Sequence, residues 1–318
     1  KMRCLITYQP SSVEYSPEGL KRIDRNLKGL KNLPFTKEAL RHEAAARAEK
    51  MSIQGVQPKV SARLNIRQGE FEIVDAGGKY ILKPQSADYP ELPENEDLTM
   101  RLAQTCGLEV PLHFLVRGSD DQPVYVIKRF DREGRNRKVS MEDFAQLSGL
   151  SRETKYSSSM ETVVKLVEQY CTYPMVEKQK LLLLVLFSFI AGNEDMHLKN
   201  FSVISTQNKV VPSPVYDLLN TSIAIPNPVE EMALPLNAKK SRITRYDLID
   251  YYGNKCLQLN DRTIQKIQNQ LLRAVHSWES VVMDSFLSQV MQKEYLKLLK
   301  LRLKRLFPDD DLSTFRHA

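Results

Sequence analysis

Eight residues near the middle of the chain, NEDMHLKN (193–200), hold two carboxylates, an imidazole, an amine and two carboxamides between apolar runs. Asp195 and Asn200 are five apart, and VYD brings Asp217 seventeen residues beyond Asn200. Phosphoryl transfer needs such a set. One Asp orients a hydroxyl and accepts its proton, while an Asn and a second Asp hold metal against the ATP phosphates. Hard oxygen ligands suit Mg²⁺, which keeps water and phosphate in its other positions. His197 offers a cation or donor beside the transferred group. A polar capping loop, with Asp195 as N-cap and His197 on the surface, would carry the same letters.

These groups need a lysine at the phosphates and a loop over them. YILKP puts Lys83 near the end of a strand, and Glu94 and Glu96 open the following helix. Either acid suits Lys83, although acids at a helix start also favour its dipole. MSIQGVQPK (51–59) joins a helix to a strand, and its backbone amides with Lys59 can cradle phosphate.

The pattern around them predicts an α+β chain in two lobes. RCLITYQP (3–10) reads as a strand, and residues 36–50 as a helix with Thr36 as N-cap. VSARLNI (60–66), EFEIVD (70–75) and KYILKP (79–84) alternate at period two, which predicts an antiparallel meander. A helix over 94–107 closed by Gly107 follows, then strands over 110–116 and 123–130. Beyond, MEDFAQLSGL, METVVKLVEQYC and EKQKLLLLVLFSFIAG have helical spacing, and helices are expected over 243–252, 261–290 and 291–306. Residues 201–205 and 209–220 are strand-like. The expected division is a β-rich lobe over 1–130 with the ATP loop, and a helical lobe over 131–318 with the catalytic loop.

Composition sets the bounds. Of 318 residues, 42% are hydrophobic and 27% charged, ample for a core divided between two lobes. The longest apolar run, around LLLLVLF, is too short to span a bilayer. No long apolar stretch with a cleavage site opens the chain, and Cys4, Cys106, Cys171 and Cys256 form no metal-binding spacing. A cytoplasmic protein without a membrane partner is the expectation. The net charge of +7 is compatible with nucleotide phosphates, nucleic acid or acidic protein surfaces. KLLKLRLKR (297–305) reads as an amphipathic helix end with its bases solvated.

Taken in order, SIQGVQPK (52–59), YILKP (80–84), ENEDLTMRLA (94–103), VIKRFDR (126–132), MEDFAQLSG (141–149), GNEDMHLKNFSV (192–203), VYDLLN (215–220) and MALPLNAKKSR (232–242) resemble the HipA-like Ser/Thr kinases of bacterial toxin–antitoxin systems. The set spans about two thirds of the chain. The resemblance implies a two-lobed, protein-kinase-like fold. Asp195 would be the base, with His197 beside the transferred phosphate, and Asn200 and Asp217 would bind Mg²⁺. Lys83 would contact the α/β-phosphates and Tyr216 would line the nucleotide site. Residues 128–130, with Lys128 and Phe130 at their ends, would form the adenine hinge. The family often has Glu at the first hinge position, where this chain has Lys128. Ser52, Ile53, Gly55, Val56 and Lys59 would form the ATP loop, with Ser52 autophosphorylated. A phosphate there adds a charge of about −1.5 to −2 beside those of ATP.

Only about fifty residues precede that loop. The chain therefore resembles the short HipT type, whose N-terminal subdomain is a separate small polypeptide. The resemblance further implies an aminoacyl-tRNA synthetase as substrate, an antitoxin partner, and DNA contact only through a DNA-binding antitoxin. Three other readings stand beside it. D-x-H-x-x-N is also the pattern of phosphoinositide kinases, which makes a lipid kinase an alternative. A non-catalytic pseudokinase or DNA-associated corepressor is another, and an exported effector kinase a third.

Overall fold

The computed structural model describes residues 2–47, 57–134, 137–149, 158–225 and 228–308. The chain forms two compact units. The first comprises Lys1–Leu98, Pro111–Asn136 and Asp284–Leu287; the second comprises Thr99–Val110, Arg137–Met283 and Ser288–Ala318.

A five-stranded antiparallel sheet organises the first unit. Its strands are β1 (Val60–Asn65), β2 (Glu70–Ile73), β3 (Tyr80–Pro84), β4 (His113–Arg117) and β5 (Pro123–Lys128), in the order β2-β1-β3-β5-β4. The expected meander is thus corrected, because β1 and not β2 is the middle strand of the first three. Gly78 permits the crossing. It passes so close to β1 that a Cβ would meet Ser61 Oγ at 1.9 Å, while the Lys79 N–H donates to the Ala62 carbonyl at 2.9 Å.

The strand expected over 3–10 is absent. Cys4 to Tyr8 are all buried, so the segment has no solvent face to alternate. It turns back with Tyr8 at φ 64°, leaving one isolated bridge between Arg3 and Pro10.

One sheet face carries the core. Val60, Ala62, Leu82, Phe114, Val124 and Val126 pack with Leu40 and Ala44 of a helix over Lys37–Arg47. Thr36 caps that helix as expected, accepting from the Ala39 N–H. Period-two alternation sends Lys83, His113 and Tyr125 to the opposite face. They meet the start of a second helix, Leu92–Thr105, through Glu96 and Asp97.

Glu94 lies in the first turn of that helix, 8% exposed, and burial pushes its carboxyl up to about 7. A carboxyl raised on folding stabilises fully below its unfolded value near 4.5. That contribution fades as pH climbs through about 7. Glu94→Gln is therefore expected to remove this fall. The variant should gain stability over the wild type between pH 5 and 8, on the order of 3 kcal/mol by pH 8. Melting curves of both proteins across that range check it.

The second unit is mainly helical. Its central helix, Pro174–Ala191, is buried along Leu181–Ala191 on every side, as its unbroken apolar run requires. Around it lie Met160–Tyr170, Asp261–Met283 and Gln289–Leu306, and a π-helical segment spans Tyr246–Cys256 where an α-helix was expected over 243–252. Two other expectations change. Residues 261–290 do not form one helix, because the chain leaves it after Met283 and Ser288 caps the next, accepting from the Met291 N–H. Met141–Asp143 is a strand and not a helix start, since Asp143 and Gln146 form a capping box that begins a short helix only at Phe144. That strand, β6, pairs with β7 (Ser202–Thr206), which pairs with β8 (Lys209–Pro212).

Candidate active site

The helix Pro174–Ala191 stops at Gly192, φ 70°, whose N–H bonds back to Phe189 and Ser188 carbonyls. A left-handed stop suits glycine, which has no Cβ to strain. Here a Cβ would also lie 2.4 Å from Leu298 Cδ2 and 2.8 Å from Asn220 Oδ1. Gly192→Ala should therefore destabilise the chain by about 2–4 kcal/mol, combining backbone strain with overpacking. Urea unfolding checks this.

The Gly192 carbonyl is a junction. It accepts from the N–H groups of Thr221 and Ser222 at 3.0 and 3.2 Å, and from their hydroxyls at 3.0 and 3.3 Å. Thr221 Oγ1 in turn accepts from the Glu194 N–H at 2.7 Å. The segment just after Asp217 is thereby sewn to the residues just before Asp195.

Asp195 is held by its main chain. Its N–H donates to Asn193 Oδ1 at 3.2 Å. Its carbonyl accepts from the His197 N–H at 2.9 Å and from Asn200 Nδ2 at 2.7 Å. The carboxylate is left 45% exposed, with His197 Nε2 3.8 Å from Oδ1. His197 is 5% exposed and opens a 3-10 turn over Leu198–Asn200, so neither half of the capping-loop alternative holds: Asp195 caps no helix and His197 is not a surface residue.

Tyr216 and Asp217 come from the irregular chain after β8, and the strand-like reading of 209–220 holds only to Pro212. The Val215 N–H donates to the Glu109 carbonyl at 2.8 Å. Tyr216 Oη donates to the Lys199 carbonyl at 2.8 Å and accepts from Ser202 Oγ. Burial pushes its phenol well up, the Ser202 bond opposing and Asp217 adding to the rise. This bridge joins the neighbour of Asn200 to the neighbour of Asp217. Asp217 itself sits at φ 54°, a left-handed conformation that Asp tolerates better than most residues with a Cβ. Asn200 spends its amide nitrogen on Asp195, which leaves Oδ1 as its other polar atom. An amide oxygen and a carboxylate on bridged segments fit a hard divalent cation with oxygen ligands.

In the first unit Lys83 Nζ lies 2.6 Å from Glu96 Oε1, with side chains 4% and 0% exposed, so Glu96 and not Glu94 holds the lysine. The ammonium is also 5.6 Å from the centroid of the Tyr125 ring. Lys128 ends β5 with an exposed side chain, and Phe130 is half-buried two residues on. The N–H groups of Lys128 and Arg129 are engaged within the unit, donating to Leu112 and Lys79 carbonyls. Lys59 is half-buried just ahead of β1. Ser52, Ile53, Gly55 and Val56 lie outside the described residues.

Sequence reasoning missed a further set. Arg302, read as part of a solvated face, is 4% exposed. It lies 3.5 Å from Glu194 and 3.2 Å from Glu231, and its guanidinium is 4.7 Å from the centroid of the Phe189 ring. Burial raises the Glu194 carboxyl, opposed by the Ser222 hydroxyl and by Arg302. Only the helical phase of Arg302, in line with buried Leu299, Leu303 and Leu306, could have flagged it.

Residues 51–279 match the model of the HipA-like C-terminal domain. A Haemophilus influenzae protein named "Putative kinase" is 29% identical over 92% of this chain and 92% of its own length. The Shewanella oneidensis protein named serine/threonine-protein kinase toxin HipA is 30% identical, over 55% of this chain and 44% of its own length. Solved structures share the fold, two of them as follows. The Shewanella oneidensis complex of HipA, HipB and operator DNA matches with a TM-score of 0.69 and 23% identity, covering 89% of this chain and 73% of that one. The Helicobacter pylori proinflammatory kinase CtkA matches with a TM-score of 0.53 and 17% identity, covering 71% of this chain and 86% of that one. The α+β, kinase-like fold class expected from the sequence is the one found. Among the described residues, no helix is long and apolar enough to cross a membrane.

Proposed function

Since the chain belongs to the HipA-like C-terminal domain family, we propose that it is an ATP- and Mg²⁺-dependent protein serine/threonine kinase. One observation carries the reading: the main chain of Asp195 is fixed by Asn193, His197 and Asn200 while its carboxylate stays half-exposed. A carboxylate held that way can orient an acceptor hydroxyl and take its proton as the oxygen attacks the γ-phosphorus and ADP leaves. His197 stands beside Asp195 to donate toward the phosphoryl oxygens. Lys83, pinned by Glu96, contacts the α/β-phosphates. Asn200 and Asp217 would hold the magnesium, which neutralises charge on the phosphates when bound. Tyr216 fixes the segment that delivers Asp217 and lines the nucleotide site.

The family's wider features accompany this centre. The lobes divide near residue 130, with Lys59 at the phosphates and residues 128–130 at the adenine. Ser52 is the autophosphorylation site. The chain acts as a toxin on an aminoacyl-tRNA synthetase, and an antitoxin links it to DNA. The HipB and operator DNA in the Shewanella complex support the antitoxin. Incubating the chain with γ-labelled ATP and magnesium, with protein and lipid acceptors in parallel, tests the activity. Label on protein serine or threonine is expected; label on lipid alone would replace the reading with a lipid kinase.

A further inference from the structure

Beside the loop that carries Asp195 the structure leaves a small cavity of about 10 Å³. Met160, Val185, Phe201 and Leu234 make it largely apolar, and Ser188, Asn193 and Glu231 reach it as well. Ser188 and Asn193 are 6% and 2% exposed, and Ser188 Oγ and Asn193 Nδ2 have no protein partner among the described residues. Two orphaned polar atoms on one cavity are rare in a protein interior. The amide of Asn193 has a single workable orientation. Its Oδ1 must face the Asp195 N–H, because Nδ2 there would set donor against donor. That orientation commits Nδ2 to the other side. A space of roughly 10–15 Å³ with two or more polar neighbours holds one water.

We propose that one water is bound in this cavity between Asn193 Nδ2 and Ser188 Oγ, and that Asn193 is a positioning residue for Asp195. The water accepts from Nδ2 and exchanges a hydrogen bond with Ser188 Oγ, with the Glu231 carboxylate at the same cavity. It locks the amide so that Oδ1 closes the two-residue turn onto the Asp195 N–H. Because that N–H sets where the carboxylate points, a loose amide would let the base wander. A misplacement of 1 Å can cost about 10²-fold in rate. The positioning half of the proposal rests on Asp195 acting as the base; the water does not.

A high-resolution crystal structure of the full chain tests the water directly. One water within hydrogen-bonding distance of both atoms is expected, and a dry cavity or an amide that donates elsewhere would overturn the proposal. Phosphotransfer kinetics test the positioning. Asn193→Leu removes the acceptor and fills the space, and should lower kcat by about 10–100-fold with the KM for ATP within about twofold. Asn193→Ser can still accept from the Asp195 N–H and should recover most of the loss. A purely structural role would shift the melting temperature of both variants and leave kcat per folded molecule unchanged, which counts against the proposal. Should Asn193→Leu not fold, Ser188→Ala removes the water's other partner without touching the loop. It should lower kcat about two- to fivefold, and an unchanged kcat would contradict the positioning. If the wild type transfers no phosphate at all, the functional reading fails, and the crystallographic water alone decides the site.

Discussion

Asp195→Asn is expected to lower the phosphotransfer rate by roughly 10²–10⁴-fold, the span removed with a general base. The fold should not notice. The bonds that tie residue 195 to Asn193, His197 and Asn200 involve its main-chain N–H or carbonyl, and none of these needs the carboxylate. Asparagine has the same shape, and the side chain is 45% exposed. Stability should therefore change by no more than about 0.5 kcal/mol, as at other exposed sites. Urea unfolding beside steady-state kinetics separates the two quantities. A variant that is inactive because it is unfolded would contradict the loop geometry described above.

Lys83→Met should show the opposite signature, losing both activity and stability. Glu96 is fully buried, and Lys83 Nζ at 2.6 Å supplies its countercharge. Removing one member of a buried ion pair typically costs about 3–5 kcal/mol, because the other charge stays behind. The paired variant Lys83→Met/Glu96→Leu removes both charges and should regain most of that stability, since replacing a whole buried pair by apolar groups is close to neutral. Neither variant should transfer phosphate, as neither can reach the α/β-phosphates of ATP. Recovery of stability without recovery of activity would show that the pair serves ATP rather than the fold. Recovery of both would contradict the role given to Lys83.

The sequence made the elements legible where one rule acted alone. Thr36 announced its helix, Gly107 and Gly192 their helix ends, and Lys83 its place on an alternating strand. It failed where a local pattern met a constraint from far along the chain. The buried run Cys4–Tyr8 has strand-like residues, but nothing in it shows that both sides would be covered. The middle position of β1 depends on Gly78 slipping past Ser61, a contact between segments that the alternation of each leaves open.

The site divides in the same way. Asp195, Asn200 and Asp217 stood out because their types and spacing match one chemistry. The groups that hold them did not. Thr221 and Ser222 work through their own N–H groups and hydroxyls on the carbonyl of Gly192, and a carbonyl has no letter in a sequence. Arg302 was hidden among five other basic residues of the last helix, and only its burial against Phe189 and Glu194 sets it apart. Glu194 is one more polar letter of NEDMHLKN, yet its buried carboxyl ties the loop to that helix.

The most direct measurement is single-turnover transfer from γ-labelled ATP with magnesium to a protein acceptor, wild type beside Asp195→Asn, both shown to be folded. Labelled serine or threonine is expected with the wild type, and a rate lower by roughly 10²–10⁴-fold with the variant. Equal rates from the two proteins would contradict this expectation, as would a folded wild type that transfers no phosphate to a protein hydroxyl.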